Sequence, residues 1–158
     1  RSQGGFTATE RFMRLGFAII TACVLIAADE KFDPAKKDQS LLQGDWSLTS
    51  GSRNGMPFPD DALRLLKRSN DDDVTTVTYG QDILTKGLFK LDPSATPKHI
   101  DVTLTVGPDK EKVQLGIYEV SGDTAKLCIA EVGKARPTDF TTKEGDGRTL
   151  TLWKKSSK

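Results

Sequence analysis

The sequence predicts an all-β fold, an eight-stranded antiparallel up-and-down barrel with one short helix, and three observations predict it. From Leu41 onward apolar and polar residues alternate in short runs, the period of strands that bury one face. Between the runs stand residues suited to tight reversal, as in Gly107-Pro108-Asp109, Ser121-Gly122-Asp123 and Glu144-Gly145-Asp146-Gly147. With 158 residues, 36% hydrophobic and 28% charged, the chain has ordinary globular composition and enough length for one core. Eight short hairpin-connected strands can close on themselves, and closure removes the edges that an open sheet must protect.

The elements follow in order. Arg11 and Arg14 precede an uninterrupted apolar run from Leu15 to Ala28, and Asp29, Glu30 and Lys31 come directly after it. A basic segment, an apolar segment and terminal small residues make residues 1–28 an expected export signal, cut after Ala27 or Ala28. Fourteen residues at helical rise reach about 21 Å, short of the roughly 30 Å hydrocarbon core, so a spanning helix is the weaker reading. Met13 is a candidate start, with residues 1–12 an extension ahead of it. Ile20-Thr21-Ala22-Cys23 also resembles a bacterial lipoprotein signal, which would lipidate Cys23, although Val24 to Ala28 stay apolar where such signals turn polar. The expected location is therefore the periplasm or cell envelope, secreted or lipid-anchored, with the membrane touched only through the leader or that anchor.

Residues 29–40 are polar and aperiodic and read as a linker. The domain is expected over residues 41–158. Strands are predicted at 44–50, 74–79, 84–91, 100–106, 112–120, 124–132, 138–142 and 148–154. The single predicted helix runs from Pro59 to Arg68, with Pro59, Asp60 and Asp61 suited to its N-terminus and Leu63, Leu65 and Leu66 on one side. It could close one end of a barrel.

Charge and composition exclude several classes. The formal charge is +1, and Arg1, Arg11 and Arg14 against Glu10 leave the rest of the chain near −1, with no basic block to hold nucleic acid. Removal of the leader leaves Cys128 as the only cysteine, so no intramolecular disulfide is expected. One His and one Cys cannot supply the usual zinc ligands, and Asp71-Asp72-Asp73 lacks the Gly and closing Glu of a calcium loop. No metal and no cofactor is expected.

Two groups of residues carry a resemblance. Leu42-Gln43-Gly44-Asp45-Trp46 resembles the Gly-x-Trp opening of lipocalin and related calycin barrels. There the Trp plugs the closed end and a basic residue of the last strand lies across it; Gly44, Trp46 and Lys154, or Lys155 beside it, would take those places. Residues 41–155 also resemble a lipocalin-like domain of unknown function found chiefly in exported planctomycete proteins. The matching stretches include Gly87-Leu-Phe-Lys-Leu-Asp-Pro93, Pro97-Lys-His-Ile-Asp101, Leu115-Gly-Ile-Tyr-Glu119, Gly122-Asp-Thr-Ala-Lys-Leu-Cys128 and Arg136-Pro-Thr-Asp-Phe140. Lys67 to Asp73 is more polar than that pattern. The resemblance implies a fold and an exported habit, and no activity.

No catalytic motif stands out. A triad would need His99, the only histidine, and no Gly-x-Ser-x-Gly elbow accompanies it. Cys128 sits in an apolar strand and would need His99 as its base. Asp101, Glu111, Glu119 and Glu131 lie in or near strands, with nothing to select a hydrolytic pair. Arg136, beside Asp139, is the most suggestive anion-binding group, and Arg136, Tyr118 and His99 are the candidate ligand-binding residues.

Three readings remain. A binding module would hold a small, partly apolar ligand or envelope component and is the reading favoured. A filled barrel would serve as a structural or protein-interaction domain, and a hydrolase would gather carboxylates with His99 in a cleft. A monomer is expected.

Overall fold

The computed structural model of the chain describes residues 32–156. The segment read as an export signal, Met13 and Cys23 lie outside the described residues. Alternation sets the architecture. In β3 (Leu66–Asp71) every second residue is buried, and in β6 (Lys98–Leu104) Ile100, Val102 and Leu104 face the core while His99, Asp101 and Thr103 face outward. Such a pleat buries one face of a sheet, and curling shut around that face is the solution adopted here.

The chain opens with α1 (Pro34–Leu42) and β1 (Gly44–Arg53). A two-residue β2 (Met56–Pro57) and α2 (Asp60–Leu65) lead into β3 and β4 (Val74–Tyr79). After β5 (Asp82–Asp92) and β6 come β7 (Val113–Ser121), β8 (Thr124–Ala130) and β9 (Arg148–Lys155). Neighbours in sequence pair antiparallel from β3 through β9, β1 pairs with β3, and β1 with β9 closes the ring. Eight strands form the barrel, and β2 is a small flap on β1.

The hairpins fix the two ends. The base holds α1, the start of β1, the β3–β4 and β7–β8 turns and the end of β9. The opposite end holds β2, α2, the β4–β5 and β6–β7 turns and the long segment from residue 131 to 147. That segment folds down over the outer face of β7, β8 and β9. Cys128 Sγ lies 3.7 Å from the Thr141 carbonyl, the Lys126 ammonium is 4.6 Å from the Phe140 ring, and Pro137 is fully buried. Ile117 and Cys128, which point outward from the barrel, are thereby fully buried in a second small core.

Three elements differ from those expected. Residues 34–42, read as part of a linker, form α1: Asp33 accepts a 2.9 Å bond from the Ala35 N–H as N-cap, and Pro34 opens the first turn. Residues 138–142, read as a strand, form none, because Pro137 lacks an N–H and the Asp139 carboxylate takes the Thr141 N–H and hydroxyl that a ladder would need. The helix predicted from Pro59 to Arg68 stops at Leu65, and Leu66–Asp71 is the missing strand. The described residues thus form two short helices, and the eighth barrel strand is Leu66–Asp71.

Candidate functional site

The base of the barrel is filled. Gly44, at φ +92°, turns the chain from α1 into β1, a conformation that L side chains avoid. Trp46 then points inward at 1% exposure and donates its indole N–H to the Leu42 carbonyl at 2.9 Å. Asn70 Nδ2 donates to the same carbonyl at 2.7 Å, and Lys155 Nζ to the Leu41 carbonyl at 3.1 Å. The open carbonyls at the end of α1 are satisfied by these side chains, with a cation placed where the helix dipole favours one. Lys155 Nζ also lies 5.2 Å from the centre of the Trp46 ring. Lys155 and not Lys154 takes the place across the tryptophan, because Thr151, Trp153 and Lys155 alternate inward on β9 while Lys154 points out to pair with Asp123 at 2.8 Å.

Asp38 is the buried carboxylate of the base. It sits on α1, accepts from Lys98 Nζ and from the Tyr118 hydroxyl, both at 2.7 Å, and so ties the helix to β6 and β7. Burial, and then the bond to Asp38, push the Tyr118 hydroxyl well above the usual phenol range, so it stays protonated as a donor. Tyr118 is fully buried. Its hydroxyl is committed to this contact.

The other half of the barrel holds an open cavity of about 400 Å³. Phe58, Leu66, Val77, Leu84 and Ile129 give it apolar walls, while Thr85, Gln114, Thr149 and Thr151 add polar groups. Arg53 and Glu131, paired at 2.8 Å, stand at its mouth. Met56, Leu65, Ile83, Leu84, Val106 and Val113 are exposed, and the topology brings all of them to this end. Exposed apolar groups gathered around a cavity mouth suit the passage of an apolar guest.

Arg68 and Trp153 line the same cavity. Arg68 is inward-facing on β3, 7% exposed, with its guanidinium 5.5 Å from the Trp153 ring centre. No acid of the described residues pairs with it, and its Nε has no hydrogen-bond partner. The Trp153 Nε1 is likewise buried and unpartnered. Burial pulls the Arg68 guanidinium down to about 10, which still leaves it charged at neutral pH. Two buried donors without acceptors thus belong to residues that line one cavity. Buried polar groups are paired in most folded proteins, which marks this chamber out.

The ligand-binding candidates read from sequence do not share one site. Tyr118 lies inside the base, whereas His99 and Arg136 lie in an open outer groove of about 600 Å³ with Asp33, Lys90, Asp92 and Asp101. Arg136 donates there to the Ile100 and Gly116 carbonyls at 3.2 and 2.7 Å and to Asp101 at 2.6 Å. Its fork fastens the 131–147 segment to β6 and β7. His99 pairs in register with Ile117, which pairs with Cys128, so two strand spacings, about 10 Å, separate His99 from the thiol. Burial raises that thiol to about 11, away from the nucleophilic range.

The carboxylates are dispersed as well. Asp101 pairs with Arg136, Glu119 with Lys126 and Glu131 with Arg53, while Glu111 sits in the β6–β7 turn. The Asp72 N–H donates to Gln43 Oε1 and the Asp72 carboxylate accepts from Gln39 Nε2, contacts that seat the β3–β4 turn on the end of α1. Among the described residues no group of three or more His, Cys, Asp or Glu could hold a metal ion. The helix predicted from Pro59 to Arg68 puts Arg68 at a helix end, so nothing in the sequence marks it as an inward-facing residue of β3.

No family model matches the chain, and neither a curated protein nor a solved structure does.

Proposed function

We propose that the chain is a binding module that holds one small, partly apolar molecule in the half of the barrel opposite Trp46. The observation that carries this reading is the cavity of about 400 Å³, lined by apolar and polar side chains together, which falls in the range of small-molecule sites, roughly 300–1,000 Å³. The resemblance of Gly44-Asp45-Trp46 to a lipocalin-like opening supports it, since barrels of that kind close one end and leave the other for a guest. The basic and apolar leader supports export to the periplasm or envelope, where such a carrier or sensor would meet envelope-derived molecules.

The filled barrel without a ligand is the second reading, and the solid packing of Leu42, Trp46, Phe89, Ile100, Tyr118 and Leu127 in the lower half favours it there. Native mass spectrometry of the protein recovered gently from its own envelope separates the two. The binding module predicts a retained species of small-molecule mass at one per chain. The bare protein mass alone would favour the filled barrel.

A further inference from the structure

The cavity offers its guest a particular chemistry. Its walls mix apolar side chains with Thr85, Gln114, Thr149 and Thr151. The buried, unpartnered polar atoms of its lining residues are the Arg68 Nε and the Trp153 Nε1, both donors, while the unpartnered Asn70 Oδ1 and Thr75 Oγ1 belong to residues outside that lining. The Arg68 Nε lacks an acceptor, the Trp153 Nε1 lacks an acceptor, and no carboxylate of the described residues neutralises the guanidinium. The nearby cation–π contact at 5.5 Å orients the guanidinium and leaves its donors unspoken for. At the mouth Glu131 is paired with Arg53, so the acid there does not reach down to serve Arg68. Taking a cation out of water costs several kcal/mol unless a partner meets it, and Arg is the side chain whose planar fork fits a carboxylate.

We infer that the cavity selects a small amphiphilic anion, its carboxylate paired with the Arg68 guanidinium with the Trp153 indole N–H as second donor, and its apolar body against Phe58, Leu66, Val77 and Ile129. The inference rests on the binding-module reading and adds the charge and polarity of the guest. A fatty acid of medium chain length and an aromatic acid share this chemistry. A neutral alcohol of the same shape fills the walls equally and leaves the cation unpaired, so the discrimination between acid and alcohol reads Arg68 directly.

The test is calorimetric titration of the full chain at neutral pH with octanoate, octanol and octylamine. Octanoate is expected to bind at least tenfold more tightly than octanol, with octylamine weakest. Arg68→Met is expected to abolish the preference of acid over alcohol while keeping octanol binding, and Arg68→Lys, which keeps the charge and loses the fork, to retain part of it. Benzoate tested against benzyl alcohol distinguishes an aromatic from an aliphatic guest. Equal binding of octanoate and octanol by the wild-type chain would overturn the anion assignment while leaving the cavity reading in place, as would an acid preference that survives Arg68→Met. If none of the acids or alcohols binds, the binding-module reading itself falls, and the anion assignment with it.

Discussion

At the scale of single residues, Arg68 and Trp46 occupy the same pleat, paired across β3 and β1, yet they do opposite things to stability. Trp46 buries a large apolar ring whose N–H has an acceptor. Arg68 buries a charge whose Nε has none. A buried ion without a partner keeps its desolvation cost with no attraction to offset it, so Arg68→Met is expected to raise the unfolding free energy by about 1–3 kcal/mol, measured by urea denaturation. Loss of the desolvated contact with Trp153 would offset about 2 kcal/mol of the gross gain. The pH dependence follows from the lowered pKa. The unfolded chain holds the Arg68 proton more tightly than the fold does, so the wild-type deficit relative to Arg68→Met is full below about pH 10 and fades as the pH rises through that value. A variant that is instead destabilised at neutral pH would make Arg68 a structural residue. Sequence reading found Trp46 because a Gly-x-Trp opening is visible in one dimension. It missed Arg68 because an inward-facing arginine on an alternating strand looks, in sequence, like surface.

At the scale of elements, the same effect hid β3. Leu66-Lys-Arg-Ser-Asn-Asp71 alternates strictly in burial, but two of its three buried residues are Arg68 and Asn70, so no hydrophobic period announces it. The opposite error arose at Thr138 to Thr142, where strand-forming residues are held as a loop by Asp139. The eight-strand count was right and one of its members was not. Helix α1 was legible in Asp33-Pro34, an N-cap followed by proline, and was obscured by a polar composition that buries Asp38 and Leu42 alone. Its contribution to the base can be measured. Leu42→Ala removes a side chain 2% exposed in the core, and a cost of about 2–4 kcal/mol with an unchanged urea m-value is expected. A cost under 0.5 kcal/mol would mean that α1 sits on the barrel without sealing it.

At the scale of the whole molecule, the barrel is divided along its axis. Below lie Trp46, the helix that caps it and the Asp38–Lys98–Tyr118 contact; above lie the cavity, the exposed apolar rim and Trp153, with Arg68 at the boundary beside Trp46 and its guanidinium near the Trp153 ring. Closure of the barrel was legible in the alternation and turn residues, whereas this division depends on which inward side chains meet, a property of register that a one-dimensional pattern does not carry. The two indoles report on the two halves, since the Trp46 N–H is bonded to Leu42 in the base and the Trp153 N–H lies unpartnered beside the cavity. The most direct measurement is a nitrogen–proton correlation spectrum of the full chain titrated with octanoate, with the two indole signals assigned by substitution of each tryptophan. The Trp153 signal is expected to shift strongly downfield as its N–H acquires an acceptor, with the Trp46 signal nearly still. A Trp153 signal that stays fixed through saturating octanoate, or equal small shifts of both, would contradict a ligand seated on Arg68 in the open half of the barrel.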